Sequence, residues 1–164
     1  LLTESFFIIS ESYFDRPEVV RDLVQLLSRA AGMSGMVAGQ AMDMGLGTPL
    51  QELSDLLRVH LGKTAELISA ALVGAAIVNG ESVSLREPLR QVGLCLGLCF
   101  QIKDDLLDGE QDRSPKSYMY YLGREQTMQE LERQTQKGLD LLQSLPRIYQ
   151  PLSLFFDYNQ QRIK

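Results

Sequence analysis

Two apolar stretches, residues 67–78 and 92–100, restrict the fold of this chain more than anything else in it. Each is longer than the roughly 4–8 residues of a buried strand, and neither alternates apolar with polar positions as a half-buried strand does. Nowhere does the sequence offer a run of alternating β-branched residues bounded by tight glycine turns. Both stretches also fall short of the about 18 residues a membrane crossing requires, so they read as core helices, with no membrane span.

Glycine, proline and capping residues divide the rest into further helices. Residues 1–13 read as an apolar helix. Asp15 is placed to cap a second, with Pro17 in its first turn, running to Gly32. The glycine-spaced residues 32–43 make a third. Thr48 and Pro49 then open a long helix that Asn79-Gly80 ends. Residues 88–108, 124–145 and 152–162 follow, with a polar break over 109–117. No repeat, linker or low-complexity tract intervenes, so the expectation is an all-α bundle, one helical domain over 1–164. The opening LLTESFFII has no helix-start signal ahead of it, which leads us to expect a chain that begins mid-protein.

Charge narrows the partners. Sixteen Lys plus Arg against 21 Asp plus Glu leave a net −5, and such a surface cannot neutralise a run of nucleic-acid phosphates. An anionic small molecule stays compatible if a divalent cation supplies the positive charge. The two cysteines, Cys95 and Cys99, do not make a disulfide framework, and we expect reduced thiols and a cytoplasmic protein.

The chemistry concentrates in VGLCLGLCFQIKDDLLD. At 100° per residue, Gln101, Asp104, Asp105 and Asp108 share an arc of roughly 100° on one helix, with Gly93 and Gly97 continuing the same side. Carboxylates on adjoining turns repel one another by a few tenths of a kcal/mol, about the size of one i,i+4 pair. Acids near a helix C-terminus are also disfavoured by the dipole. A bound Mg²⁺ would relieve both costs; an acidic helix end facing solvent is the other reading, and the residues alone leave the two open. In RVHLGKTAELI, Lys63 opens a nearly uncharged stretch, so its ammonium either faces a polar cavity as a phosphate contact or snorkels from the helix flank. His60 has no metal partner by spacing and takes a structural or supporting role. Gln40 and Asp43 lie about 60° apart on one helix face, behind Gly32, Gly35 and Gly39, small residues suited to close helix packing.

In this order, AGQAMD, HLGKT and LGLCFQIKDDLLD resemble the trans-isoprenyl diphosphate synthases, the family of the geranyl, farnesyl and geranylgeranyl diphosphate synthases. FQIKDDLLD resembles that family's second aspartate-rich motif, and LLTESF the helix just after its first. The resemblance covers essentially the whole chain as the C-terminal part of an isoprenoid-synthase-type bundle. It implies that Asp104, Asp105 and Asp108 bind Mg²⁺ and through it the diphosphate of an allylic substrate, which Lys63 also holds. It implies oxygen dipoles from Thr64 and Gln101 near the allylic cation, and Gln40 and Asp43 lining the same cavity. Phe100 would pack beside isopentenyl diphosphate, the second substrate, and Lys116 would contact substrate. The implied reaction is head-to-tail condensation of the two diphosphates, the implied assembly a homodimer.

The sequence also departs from that pattern. DDxxD occurs once, at 104–108, so the first aspartate-rich motif is not in these residues, nor are the basic residues upstream of it. The family's Gly- and Lys-containing loop is short here: Asp112 is followed almost at once by RSPKSYMYYLG, with Ser117 and Tyr118 in register and Lys116 offset by one. The expectation is an (E)-prenyl diphosphate synthase represented by its C-terminal part, inactive as this piece alone. The alternative is a non-catalytic regulatory subunit that pairs with a complete synthase.

Overall fold

Every regular element among the described residues, 1–109 and 114–163 of a computed structural model, is helical. The helices are α1 (Leu2–Ser12), α2 (Pro17–Ala31), α3 (Met36–Asp43), α4 (Leu53–His60), α5 (Glu66–Val78), α6 (Arg86–Asp108), α7 (Tyr118–Gln143) and α8 (Ser153–Gln161). A π-helical turn, Leu61–Ala65, joins α4 to α5 without a break, and 3₁₀ turns precede α6 and α8.

Several helix starts differ from the sequence expectation, each for a local reason. Pro17 does open α2, but the cap position falls to Arg16 rather than Asp15. Thr48 and Pro49 do not start the long helix. Asp55 does, by accepting the N–H groups of Gln51 and Glu52 at 3.0 and 3.3 Å, which satisfies donors a new helix leaves bare. α6 begins at Arg86, two residues before the expected Pro88, because the Ser82 hydroxyl caps a 3₁₀ turn that leads into it. The last long helix begins at Tyr118 instead of 124: Ser117 accepts the Met119 N–H, and Gly123, at φ 68°, lets the chain turn before continuing. Of the expected polar break, residues 110–113 lie outside the described residues.

α6 runs through the centre, packed between α5 and α7, with α8 laid across it. Its buried side chains Leu89, Val92, Cys95, Cys99, Ile102 and Leu106 make the spine of the core. Both cysteines are free and buried. The membrane expectation needs correction. The continuous helix Leu53–Val78 is long and apolar enough, by length and composition, to cross a bilayer, since Lys63 and Glu66 interrupt its apolar run without lowering its average far. Here it is the helix against which α2, α3 and α6 pack.

Candidate functional site

The site begins with the π turn. Glu66 N–H reaches back five residues to the Leu61 carbonyl, which inserts an extra residue into the helix and re-aims Lys63 and Thr64. Two neighbours close on this turn because glycines let their backbones approach. A Cβ on Gly39 of α3 would stand 2.2 Å from the Lys63 nitrogen; one on Gly97 of α6 would stand 2.4 Å from the Ala65 Cα.

These approaches bring together side chains that the sequence placed on three separate segments. Lys63 Nζ donates to Asp43 Oδ2 at 2.8 Å. Thr64 Oγ1 donates to Gln101 Oε1 at 3.0 Å, and Gln101 Nε2 donates to Asp104 Oδ2 at 3.3 Å. The other Asp104 oxygen accepts Arg162 from the end of α8 at 2.5 Å, and the same guanidinium lies 4.2 Å from the centre of the Phe100 ring. Asp105 Oδ2 accepts the Tyr118 N–H at 2.7 Å, tying the start of α7 to the acidic turn. Asp108 stands exposed one turn on; Gln40 and Lys116 are also exposed, and the described hydrogen bonds do not join them to this chain of contacts.

Beneath the polar chain lies His60, whose ring centroid is 5.5 Å from that of Tyr118. Burial lowers its imidazole pKa to about 4, and Lys63 adds to the effect. His60 is therefore neutral near pH 7 and fills a supporting place under the π turn. Burial likewise raises the Tyr118 hydroxyl far above its usual range, so it stays protonated.

Among the described residues no three His, Cys, Asp or Glu side chains converge into a cation cage. Magnesium does not demand one: it keeps waters and is held by one or two carboxylates plus substrate phosphates. Asp104, Asp105 and Asp108 are hard oxygen donors on successive turns, so the donor chemistry fits. A cleft of about 1090 Å³ along α7, past Arg133, Lys137 and Asp140, is lined by none of these residues. Sequence reasoning missed Arg162, since a lone arginine beyond a short helix carries no periodic signal. It also missed the Arg90–Glu66 ion pair at 2.7 Å, which clamps α6 to α5 next to the π turn.

This all-helical bundle is shared by solved isoprenyl synthases. The chain superposes on the geranyltransferase of Helicobacter pylori with a TM-score of 0.84 and 30% identity, over 98% of this chain and 56% of that one. For the same enzyme complexed with magnesium and isoprenyl diphosphate the TM-score is 0.77 at 29% identity, over 96% and 56%. The polyprenyl synthetase family model matches residues 1–117, and the chain belongs to that family. A farnesyl diphosphate synthase of Micrococcus luteus is 34% identical over 177 aligned residues, which take in all of this chain and 60% of the relative. Those 177 positions exceed the 164 residues here, so the relative carries residues without a counterpart. The chain spans less than two thirds of the length of these relatives.

Proposed function

We propose that this chain forms the diphosphate-ionising half of an (E)-prenyl diphosphate synthase, which condenses an allylic diphosphate with isopentenyl diphosphate. The observation that carries this reading is the continuous hydrogen-bonded line Thr64–Gln101–Asp104, with Lys63 next to its start on the same π turn. It aligns a cation, two neutral oxygen dipoles and a carboxylate along one wall. That is the order of charges an ionising allylic diphosphate requires: positive at the leaving group, oxygen at the carbocation.

Magnesium held by Asp104, Asp105 and Asp108 would neutralise the departing diphosphate. Lys63 adds a point charge to the same group, with phosphate oxygens competing against Asp43 for its ammonium. Thr64 Oγ1 spends its proton on Gln101, so its lone pairs face outward and can stabilise a developing cation. Phe100, 40% exposed at the edge of the site, offers an apolar surface beside the second substrate, and Lys116 a further cation on the approach to α7. Attack by the isopentenyl double bond is followed by loss of a proton to the released diphosphate. The likeness to the magnesium and isoprenyl diphosphate complex supports this assignment of substrates. The reading further takes the protein as a homodimer in the cytoplasm, a compartment in which two unpaired, buried thiols stay reduced.

The test is Asp104→Ala in the intact protein. Mg²⁺-dependent binding of inorganic diphosphate should be lost while helical circular dichroism stays nearly unchanged; tight metal-dependent binding in the variant would remove the reading. A regulatory subunit is the second reading, favoured by the single DDxxD motif in these residues. It predicts no turnover by the intact protein alone and increased or redirected turnover when it is mixed with a complete synthase.

A further inference from the structure

We propose that Arg162 is a displaceable internal cation for Asp104: while no metal is bound its guanidinium occupies the carboxylate, and metal loading drives it off. This rests on the reading of Asp104 as a metal ligand. Three observations lead to it. The contact is no ordinary surface pair, for at 2.5 Å the Arg162 side chain is only 11% exposed and that of Asp104 33%. The guanidinium is set against the carboxylate by the Phe100 ring, 4.2 Å from its centre, and by the Phe100 carbonyl at 3.3 Å. Both oxygens of Asp104 are engaged, one by Arg162 and the other by Gln101. A divalent cation arriving there meets a fixed positive charge at bonding distance from its own ligand, and the two repel.

The arrangement also favours the exchange. Arg162 Nε is buried without a partner, so the guanidinium gives up part of its hydration for an incomplete set of hydrogen bonds. Arg162 lies just beyond the helical residues of α8, at φ −58° and ψ 129°, where its side chain can swing without unwinding a helix. α8 itself stays anchored, through Asn159 Nδ2 donating to the Cys99 carbonyl at 2.8 Å and through fully buried Phe156. The moving part is then one side chain. Its release uncovers Asp104 and the Phe100 face together, so metal binding and exposure of the apolar edge are coupled.

The test is titration of the intact protein with Mn²⁺ alone, following loss of the free ion's paramagnetic resonance signal. Arg162→Gln should bind Mn²⁺ about fivefold tighter than the parent, the effect expected for removing one partly screened charge pair. A purely structural role for Arg162 predicts the opposite sign, weaker binding. Arg162→Lys, which keeps the charge but loses the fork, should fall between, and it serves if the glutamine variant folds poorly. In the unsubstituted protein Mn²⁺ should speed tryptic cleavage after Arg162, because the freed side chain becomes available to the protease. Unchanged or weakened Mn²⁺ affinity in both variants, or cleavage that metal does not accelerate, would overturn the proposal and leave the metal reading standing. If the parent binds no Mn²⁺ that Asp104→Asn abolishes, the reading of the site fails and this proposal with it.

Discussion

His60 is the only histidine in the 164 residues, which makes its burial measurable. Its pKa falls from 6.5 to about 4 in the folded chain. The folded state thus keeps it neutral at pH values where the unfolded chain already binds a proton. Its contribution to stability is whole above pH 6.5 and is lost progressively as the pH falls towards 4, at up to about 1.4 kcal/mol per pH unit. Urea unfolding at pH 7.5, 6 and 5 should show that slope, and His60→Gln should flatten it within this window; equal slopes in the two proteins would contradict the account. At this scale much of the candidate site was legible in the sequence. Three carboxylates and a glutamine on one helical arc, and a lysine beside an apolar run, conflict with simple core packing, and such conflict marks a site. Arg162 and the tilted contact of Tyr118 with His60 were not legible. They depend on where α8 and the start of α7 come to rest, which no local pattern encodes.

The elements explain why those residues meet. Gly97 lets α6 touch the π turn, and this approach sets the Thr64–Gln101 bond at 3.0 Å. Gly97→Ala would force a methyl to within 2.5 Å of the Ala65 Cβ, so the helices must separate. We expect a loss of about 1–3 kcal/mol, as for overpacking a close contact, measured by urea unfolding. Gly74 in α5 is the matched control: its added methyl meets Leu23 Cδ2 at 3.5 Å and Leu26 Cδ2 at 3.8 Å, both ordinary contacts. Gly74→Ala should therefore stabilise by up to about 1 kcal/mol through helix propensity alone. A drop in stability of the same size for both would show that propensity and packing have been wrongly separated. Helix identity was legible in the sequence because apolar periodicity and glycine breaks agree. Helix starts were less so, because Asp55, Ser82 and Ser117 compete with more conventional signals nearby. The π turn was invisible, since no local pattern marks it and its close neighbours, the backbones of α3 and α6, lie far away in sequence.

For the molecule as a whole, the exposed apolar surface is the guide. α1 buries none of its residues, leaving Phe7 59% and Ile8 53% exposed, and Phe14, Met33, Met44 and Leu46 are exposed beyond it. A helix that leaves large apolar side chains this exposed calls for a cover. The chemistry calls for the same thing. Under the proposed function a diphosphate must be neutralised as it departs, and ionisation must be kept from water. The 164 residues hold one DDxxD motif, and on this reading they form one wall of the reaction cavity, so ligands and shelter come from a single side. We therefore predict that residues 1–164, expressed alone, will fail to condense dimethylallyl and isopentenyl diphosphates with Mg²⁺, although they remain helical by circular dichroism. The same piece should bind an apolar dye and self-associate as its concentration rises, because the apolar side chains of α1 lack a covering layer. Steady turnover by a soluble, monomeric piece would overturn both parts of the argument, for one acidic motif and one uncovered wall would then have been enough to ionise the substrate and protect the cation.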